Sequence, residues 1–219
     1  MTICALISKT VLATSLLALS ACSSGPKTPD WQMQAKTALE LSVNAYLQGN
    51  SRVAALELAR ARSAVASTGR VDLLARVELT NCASRVASLM FEDCSGFERL
   101  RQDAPAAERA YADWLAGRLQ AQDIALLPAP QRAAAGGDLA AIKSMADPLS
   151  LLVTAGLALQ AGRASPALAQ QAVDSASSQG WRRPLLAWLK VQQQRAQSAG
   201  DANAAAALQR RIDLVAPPR

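Results

Sequence analysis

The residues with the most restricted chemistry in this 219-residue chain are its four cysteines, Cys4, Cys22, Cys82 and Cys94. Histidine is absent from the sequence. This absence excludes Ser-His-Asp and Cys-His catalysis, in which an imidazole is the general base, and it removes the commonest metal ligand. The cysteines therefore have to be interpreted one by one, from the stretches of sequence in which they lie.

Cys22 follows a segment that is typical of exported proteins. The apolar run Val11–Leu19 is shorter than the roughly 20 residues that span a bilayer, but it has the length of the apolar region of a signal peptide. Lys9 supplies the positive charge that precedes such a region, and the small residues Ser20 and Ala21 follow the apolar run. We therefore expect residues 1–21 to be a signal peptide that is removed. An ordinary secretory signal cleaved near Ala21 is the alternative.

The four residues Leu19-Ser20-Ala21-Cys22 resemble the lipobox of bacterial lipoproteins. The resemblance implies that the chain is cleaved just before Cys22 and that this residue is acylated, with palmitate among its lipids. In that family a residue other than Asp after the cysteine is typical of outer-membrane proteins, and Ser23 stands here. The implied location is the periplasmic leaflet of the outer membrane. Residues 22–30 would be a flexible tether with a reach of about 25 Å.

Cys82 and Cys94 remain as a pair once Cys4 leaves with the signal peptide and Cys22 carries lipid. In an oxidising periplasm such a pair is expected to form a disulfide. A zinc site is the alternative, and it would need two further ligands from Asp or Glu, which is uncommon. One continuous helix would place the two Cα atoms about 18 Å apart, whereas a disulfide needs them within about 7 Å. A bond therefore requires the helix to end before about Met90, and the closed loop would stabilise the fold by about 3 kcal/mol.

Paired carboxylates are the remaining groups that could catalyse a reaction. Hydrolysis of a cell-wall glycan would need two of them, and the candidates are Glu92 with Asp93, Glu98 with Asp103, and Glu108 with Asp113. All of these pairs lie in a stretch of mixed charge, which is typical of solvated or helix-end positions. A cell-wall enzyme is therefore the least favoured function, and we expect no catalytic residue, cofactor or metal site.

The elements that position these residues are predicted to be helices. Aromatic residues make up 4% of the chain, alanine is very common, and Val, Thr and Ile are sparse. This composition favours helix over strand. We expect an all-α protein of about 8–10 helices, arranged as stacked antiparallel hairpins in an α-solenoid or an irregular bundle. Residues 128–137 are expected to be a linker or long loop between an N-terminal helical part, 31–127, and a C-terminal one, 138–219.

Three glycines are followed by small or apolar residues at a recurring spacing. The residues five and twelve positions after each glycine are Ala54 and Ala61 for Gly49, Ala167 and Asp174 for Gly162, and Ala205 and Ile212 for Gly200. The first and third units resemble a tetratricopeptide repeat, in which small residues let two antiparallel helices approach closely. Asp174 departs from this pattern, and the interval from Gly49 to Gly162 is not a multiple of the roughly 34-residue repeat. A helical bundle without repeats remains the alternative.

Two groups of side chains are candidates for binding a partner. Tyr111 and Trp114 share one face of a predicted helix, and the alternative is that they anchor the core. Trp181, Arg182 and Arg183 could contact an acidic partner or a phosphate-bearing lipid, and the alternative is a helix-start loop with solvated arginines. The formal net charge of +6 comes mainly from arginines that are scattered along the chain.

The resemblance and the helical composition together imply a lipid-anchored, periplasm-facing scaffold that binds other cell-envelope proteins. Assembly, secretion, pilus and cell-wall machinery are the candidate partners, whereas nucleic acid is excluded by the compartment. A periplasmic carrier of lipid or of another small ligand is the alternative. An enclosed apolar cavity of several hundred cubic ångströms would distinguish the carrier from the scaffold.

Overall fold

The computed structural model describes residues 28–216, and every regular element in that range is a helix. The prediction of an all-α fold is confirmed. The ten α-helices of this range are α1 Asp30–Leu47, α2 Ser51–Ala66, α3 Val71–Ala87, α4 Ser95–Glu98, α5 Ala106–Leu115, α6 Ala129–Ala135, α7 Pro148–Gln160, α8 Pro166–Ser178, α9 Arg182–Ser198 and α10 Ala202–Val215. Two 3-10 helices, Ala121–Leu126 and Leu139–Ser144, flank α6. The expected signal peptide, the lipidated Cys22 and the tether as far as residue 27 lie outside the described residues.

Helices α1 and α2 form an antiparallel hairpin around Gly49. This glycine has a φ of +94°, a conformation that costs other residues more, so the turn predicted from its position is confirmed. Asn50 then begins α2 by accepting a hydrogen bond from the Val53 amide. Ala54 and Ala61 are buried between the two helices, as the spacing after the glycine predicts. The hairpin has a small apolar cluster of its own, which includes Ala61 and Leu58.

The main core forms where α3 and α7 cross. All residues of α7 from 151 to 158 are buried, so this strongly apolar helix lies at the centre of the fold. Gly156 lies at the crossing, where a Cβ atom added to it would be 2.8 Å from the Val86 carbonyl oxygen. Because glycine has a hydrogen in place of a side chain, the backbones of α3 and α7 can approach this closely.

The C-terminal part consists of consecutive antiparallel helices, α7 to α10, three of which, α7, α8 and α10, begin at side-chain caps. Asp147, Ser165 and Asp201 each accept a hydrogen bond from a backbone amide in the first turn of the following helix. At the glycine-spaced positions, Ala205 and Ile212 are buried, as the pattern predicts. The corresponding pair in α8, Ala167 and Asp174, is exposed on the helix surface.

Residues 128–137, expected to be a linker or long loop, contain the short helix α6. Its two prolines do not prevent the helix, because Pro128 is the N-cap and Pro130 lies in the first turn, where the backbone amide needs no helical partner. Gln131 and Ala134 are buried. One continuous apolar core contains residues from both helical parts that the segment was expected to separate.

Candidate binding groove

The predicted disulfide pair joins the end of α3 to the start of α4. The Cα atoms of Cys82 and Cys94 lie 5.8 Å apart, and their sulfur atoms are at bonding distance. Helix α3 ends at Ala87, so the geometric requirement that it end before about Met90 is met. The chain turns back at Leu89, whose φ is +59°. The returning segment carries two carboxylates, Glu92 and Asp93, to the surface beside the disulfide.

A polar groove of about 540 Å³ opens next to this segment. We call it the arginine groove, because arginines from four elements, α2, α3, the α4 C-cap and α9, contribute to its wall. Its principal charged and polar side chains are Tyr46, Ser51, Arg62, Glu78, Asn81, Arg85, Glu92, Asp93, Ser95, Arg99 and Arg183. The turn between α1 and α2 and the beginning of α9 close one end, so the groove exists only in the folded chain.

Two of the arginines are neutralised by carboxylates of the groove. Arg62 donates from Nε and Nη2 to the two carboxylate oxygens of Glu78, each at 2.6 Å. The Glu78 side chain is 6% exposed, and the bond to it raises the pKa of Arg62. Gly96 makes room for this pair, because a Cβ atom at that position would be 2.1 Å from a Glu78 oxygen. Arg85 donates to Glu92 at 2.7 Å.

Two arginines also lie over the ring of Tyr46. The guanidinium carbon of Arg183 is 4.3 Å from the ring centroid, and that of Arg85 is 5.6 Å from it. Arg183 additionally donates to the Tyr46 carbonyl oxygen and to the Ser51 hydroxyl, both at 2.8 Å. Burial raises the pKa of the Tyr46 phenol, and the two guanidinium groups partly offset this rise. These contacts fix Arg183 while leaving its Nη1 without a hydrogen-bond partner in the described part of the chain.

Arg99 is an exposed charge of the groove. It directly follows α4, is exposed, and makes no ion pair within residues 28–216. A planar guanidinium that no carboxylate neutralises can bind a carboxylate or phosphate through two parallel hydrogen bonds. Arg99 and Arg183 therefore provide positive charge that the internal ion pairs do not cancel.

The five residues predicted as partner-binding candidates occupy different environments. Trp114 is buried, and its ring packs against that of Tyr111 with the centroids 5.4 Å apart, which is the core-anchor arrangement. Trp181 is also buried and donates from its indole nitrogen to Asn44 Oδ1 at 3.1 Å. Arg182 is exposed outside the groove, and Arg183 lies in the groove.

Sequence reasoning missed the other groove residues, Tyr46, Arg62, Arg85 and Arg99. They are distributed along α1, α2, α3 and the end of α4, and each resembles the many other surface arginines or the turn-proximal tyrosine of a helical hairpin. One signal was available: the cysteine pair predicts that the chain folds back, and this brings Glu92 and Arg99 towards α3. The participation of α9 had no such signal.

The carboxylates considered for catalysis are mostly engaged with arginines. Glu98 and Asp113 share Arg101 and Arg118 in one network, in which the bond from Arg101 lowers the pKa of Glu98. Of the other carboxylates considered for catalysis, Glu108 is paired with Arg76 and Glu92 is paired with Arg85. Among residues 28–216 there is no cluster of three or more His, Cys, Asp or Glu side chains that could hold a metal ion.

Comparison with protein-family models, curated proteins and solved structures gives no match. In the part of the chain that the structure describes, no helix combines the length and the apolar character needed to cross a membrane.

Proposed function

We propose that the chain is a lipid-anchored helical scaffold at the periplasmic face of the outer membrane and that it binds another cell-envelope protein through the arginine groove. The observation that carries the proposal is that Arg85 and Arg183 lie over the Tyr46 ring and that Arg99 lines the same open groove of about 540 Å³. The lipid attached to Cys22 fixes the position of the protein. The groove supplies the contact with the partner.

The charge of the groove selects the chemistry of the partner. Four arginines and three carboxylates line the wall, and two of the arginines are paired with Glu78 and Glu92. Arg99 and Arg183 are opposed by the single remaining carboxylate, Asp93. An acidic segment of the partner would place an Asp or Glu side chain between these arginines.

The arginines of the groove wall are held in place, and this makes them better suited to bind an anion than freely solvated arginines are. Arg183 and Arg85 are held by hydrogen bonds and by the Tyr46 ring, so less side-chain entropy is lost when an anion binds between them. Solvated arginines elsewhere, such as Arg210 on α10, have no such support. Arg210 also serves as a matched control for Arg99, because both side chains are exposed and make no ion pair within residues 28–216, whereas only Arg99 lines the groove.

The test is site-specific photo-crosslinking in cells that produce the lipidated chain. A crosslinking amino acid at Met90, an exposed and uncharged residue of the groove wall, should capture one envelope protein, and the same amino acid at Gln102, an exposed residue outside the groove wall, should not. For the charge test, the crosslinker stays at position 90, so that the pair of Arg85 and Glu92 is kept. Arg99→Glu should then abolish capture, whereas Arg210→Glu should leave it unchanged.

Position on the membrane is tested in parallel with Cys22→Ala. This change should yield unprocessed or soluble protein and should reduce capture without altering the fold. Equal capture at the groove and at Gln102, or capture that survives Arg99→Glu, would contradict the proposed binding site. Unchanged membrane fractionation of Cys22→Ala would contradict the proposed anchor.

A further inference from the structure

One face of the hairpin formed by α1 and α2 is open to solvent in the described part of the chain. A groove of about 760 Å³ runs between the two helices on this face, and Met33 and Leu41 in its wall are 51% and 50% exposed. Val53 and Leu56, which are 39% and 54% exposed, lie seven and four residues before Arg60, which also lines the groove. Helical periodicity places these three residues on one side of α2. We call this surface the hairpin face.

Exposed apolar side chains are concentrated on the hairpin face. Eight large hydrophobic residues are exposed within residues 28–216, and four of them belong to this face. Trp31, which is partly exposed, lines the same groove. Contiguous apolar patches mark interaction sites, and the centres of protein interfaces are rich in Trp, Met and Arg. The hairpin face therefore has the composition of an interface.

The charges of the hairpin face lie on its two helices with opposite signs. On α2, the side chain of Arg60 is 63% exposed and pairs with the buried carboxylate of Glu57. On α1, the exposed carboxylates of Asp30 and Glu40 outnumber the ammonium group of Lys36, which is 3.8 Å from Glu40. A two-fold rotation places α1 of one copy against α2 of another, so this surface is complementary to itself. The carboxylates disfavour contact with acidic lipid headgroups.

The size of the hairpin face is sufficient for a weak dimer. Its helices have 18 and 16 residues, so they are about 24–27 Å long, and two helix diameters side by side measure about 20 Å. Such a face presents about 500 Å² per copy, and a symmetric pair would bury about 1,000 Å² in total, the size at which specific interfaces begin.

We propose that two copies of this chain associate through the hairpin face about a two-fold axis. Met33 and Leu41 of one copy would pack against the apolar α2 side chains of the other, and Arg60 of each copy would bind an α1 carboxylate of its partner. The hairpin face and the arginine groove have no residue in common. The proposal is therefore independent of the scaffold function, and the pair would carry two grooves.

The test is sedimentation velocity of residues 22–219 with Cys22→Ala, which contains every described helix. The apparent mass should rise from one chain to two between about 1 µM and about 300 µM, the range of a weak interface. Leu41→Glu should keep the mass at one chain, because association would bury its carboxylate against apolar side chains. Since Leu41 is half exposed in the single chain, the urea midpoint should not change. Leu214→Glu makes the same replacement at an 83% exposed leucine of α10 and should leave association unchanged.

Crosslinking tests which surfaces meet. Thr37→Cys, at an exposed position in the middle of α1, should give crosslinked dimers with a flexible bismaleimide, whereas Asn203→Cys, exposed on α10, should not. A mass of one chain at every concentration, association that survives Leu41→Glu, or equal crosslinking at the two positions would overturn the proposal. Flotation of a monomer with vesicles of phosphatidylethanolamine and phosphatidylglycerol, lost in Leu41→Glu, would also overturn it and assign the face to a lipid surface.

Discussion

Gly96→Ala is expected to destabilise the protein through the ion pair that forms one wall of the arginine groove. The added Cβ atom would lie 2.1 Å from Glu78 Oε2 and 2.6 Å from its Cδ. Normal contact requires the carboxylate to move by more than about 1 Å. Glu78 cannot make this movement freely, because its side chain is 6% exposed and Arg62 holds both of its oxygens at 2.6 Å. At least one of the two charge-assisted hydrogen bonds must be lost.

The size of the effect follows from that loss. A hydrogen bond between charged groups contributes about 1.5–3 kcal/mol. The Arg62 side chain is 39% exposed, so water partly replaces the lost partner, and the lower end of that range applies. We expect the free energy of unfolding, measured by urea denaturation with circular dichroism at an unchanged m-value, to fall by about 1.5–2 kcal/mol.

Two controls separate this mechanism from a general effect of replacing glycine. Gly136 has a φ of −72°, and a Cβ atom there would lie 3.4 Å from its nearest neighbours, so Gly136→Ala should be neutral or slightly stabilising. In a Glu78→Ala background the obstruction is gone, and Gly96→Ala should then cost nothing. An equal cost of Gly96→Ala with and without Glu78 would refute the reasoning.

Three further predictions concern the same helical framework. Replacing Cys82 and Cys94 by Ser should lower the free energy of unfolding by about 3 kcal/mol, and a reductant should lower that of the original chain equally; identical urea midpoints would exclude the disulfide. Gly156→Ala should cost about 1–3 kcal/mol in the same assay, because its Cβ atom would press on the α3 backbone, and a cost near zero would mean that α3 and α7 can separate freely. Tyr111→Phe should flatten the alkaline loss of stability. Burial raises the folded-state pKa of Tyr111, so its contribution to the free energy of unfolding is complete below about pH 10 and falls by about 1.4 kcal/mol per pH unit above it. Urea titrations between about pH 9.5 and 11.5 would reveal or exclude this slope.

Local signals in the sequence were sufficient for much of the fold. The alanine-rich composition predicts helix, and the spacing after Gly49 predicts the small residues that pack between α1 and α2. These features act within a few residues, so no tertiary information is needed to recognise them. The constraint from the cysteine pair extends further, because a covalent bond fixes where α3 can end before the partner helix is known.

Helix ends without a strong local signal were harder to predict. The helix that carries Tyr111 and Trp114 ends at Leu115, and Gly117, with a φ of +72°, lies just beyond it. The prolines at positions 128 and 130 are typical of a loop, although proline is also compatible with the first turn of a helix. Burial of Ala134 against the core decides in favour of α6, and burial is a tertiary property.

The arginine groove could not be predicted because its residues are brought together by packing. Arg182 and Arg183 are neighbours with the same side chain, yet only Arg183 contacts Tyr46, since the start of α9 turns one of them towards the first hairpin. Arg62 and Arg99 likewise differ from other surface arginines only in what surrounds them. The sequence signals the excess of arginine, whereas the position of α9 against α1 determines which arginines act together.

The contact of α9 with the first hairpin also limits how this fold can change in evolution. Trp181 bonds to Asn44, and Arg183 bonds to the carbonyl of Tyr46 at a sequence separation of 137 residues. An open repeat array can gain or lose a hairpin in its middle and keep every neighbouring interface. Here an inserted hairpin between α3 and α8 would carry Trp181 away from Asn44 and dismantle one end of the groove. We therefore expect related sequences to differ in length only in the surface turns and in the region beyond α9. The number of helices between Tyr46 and Trp181 should be constant among them.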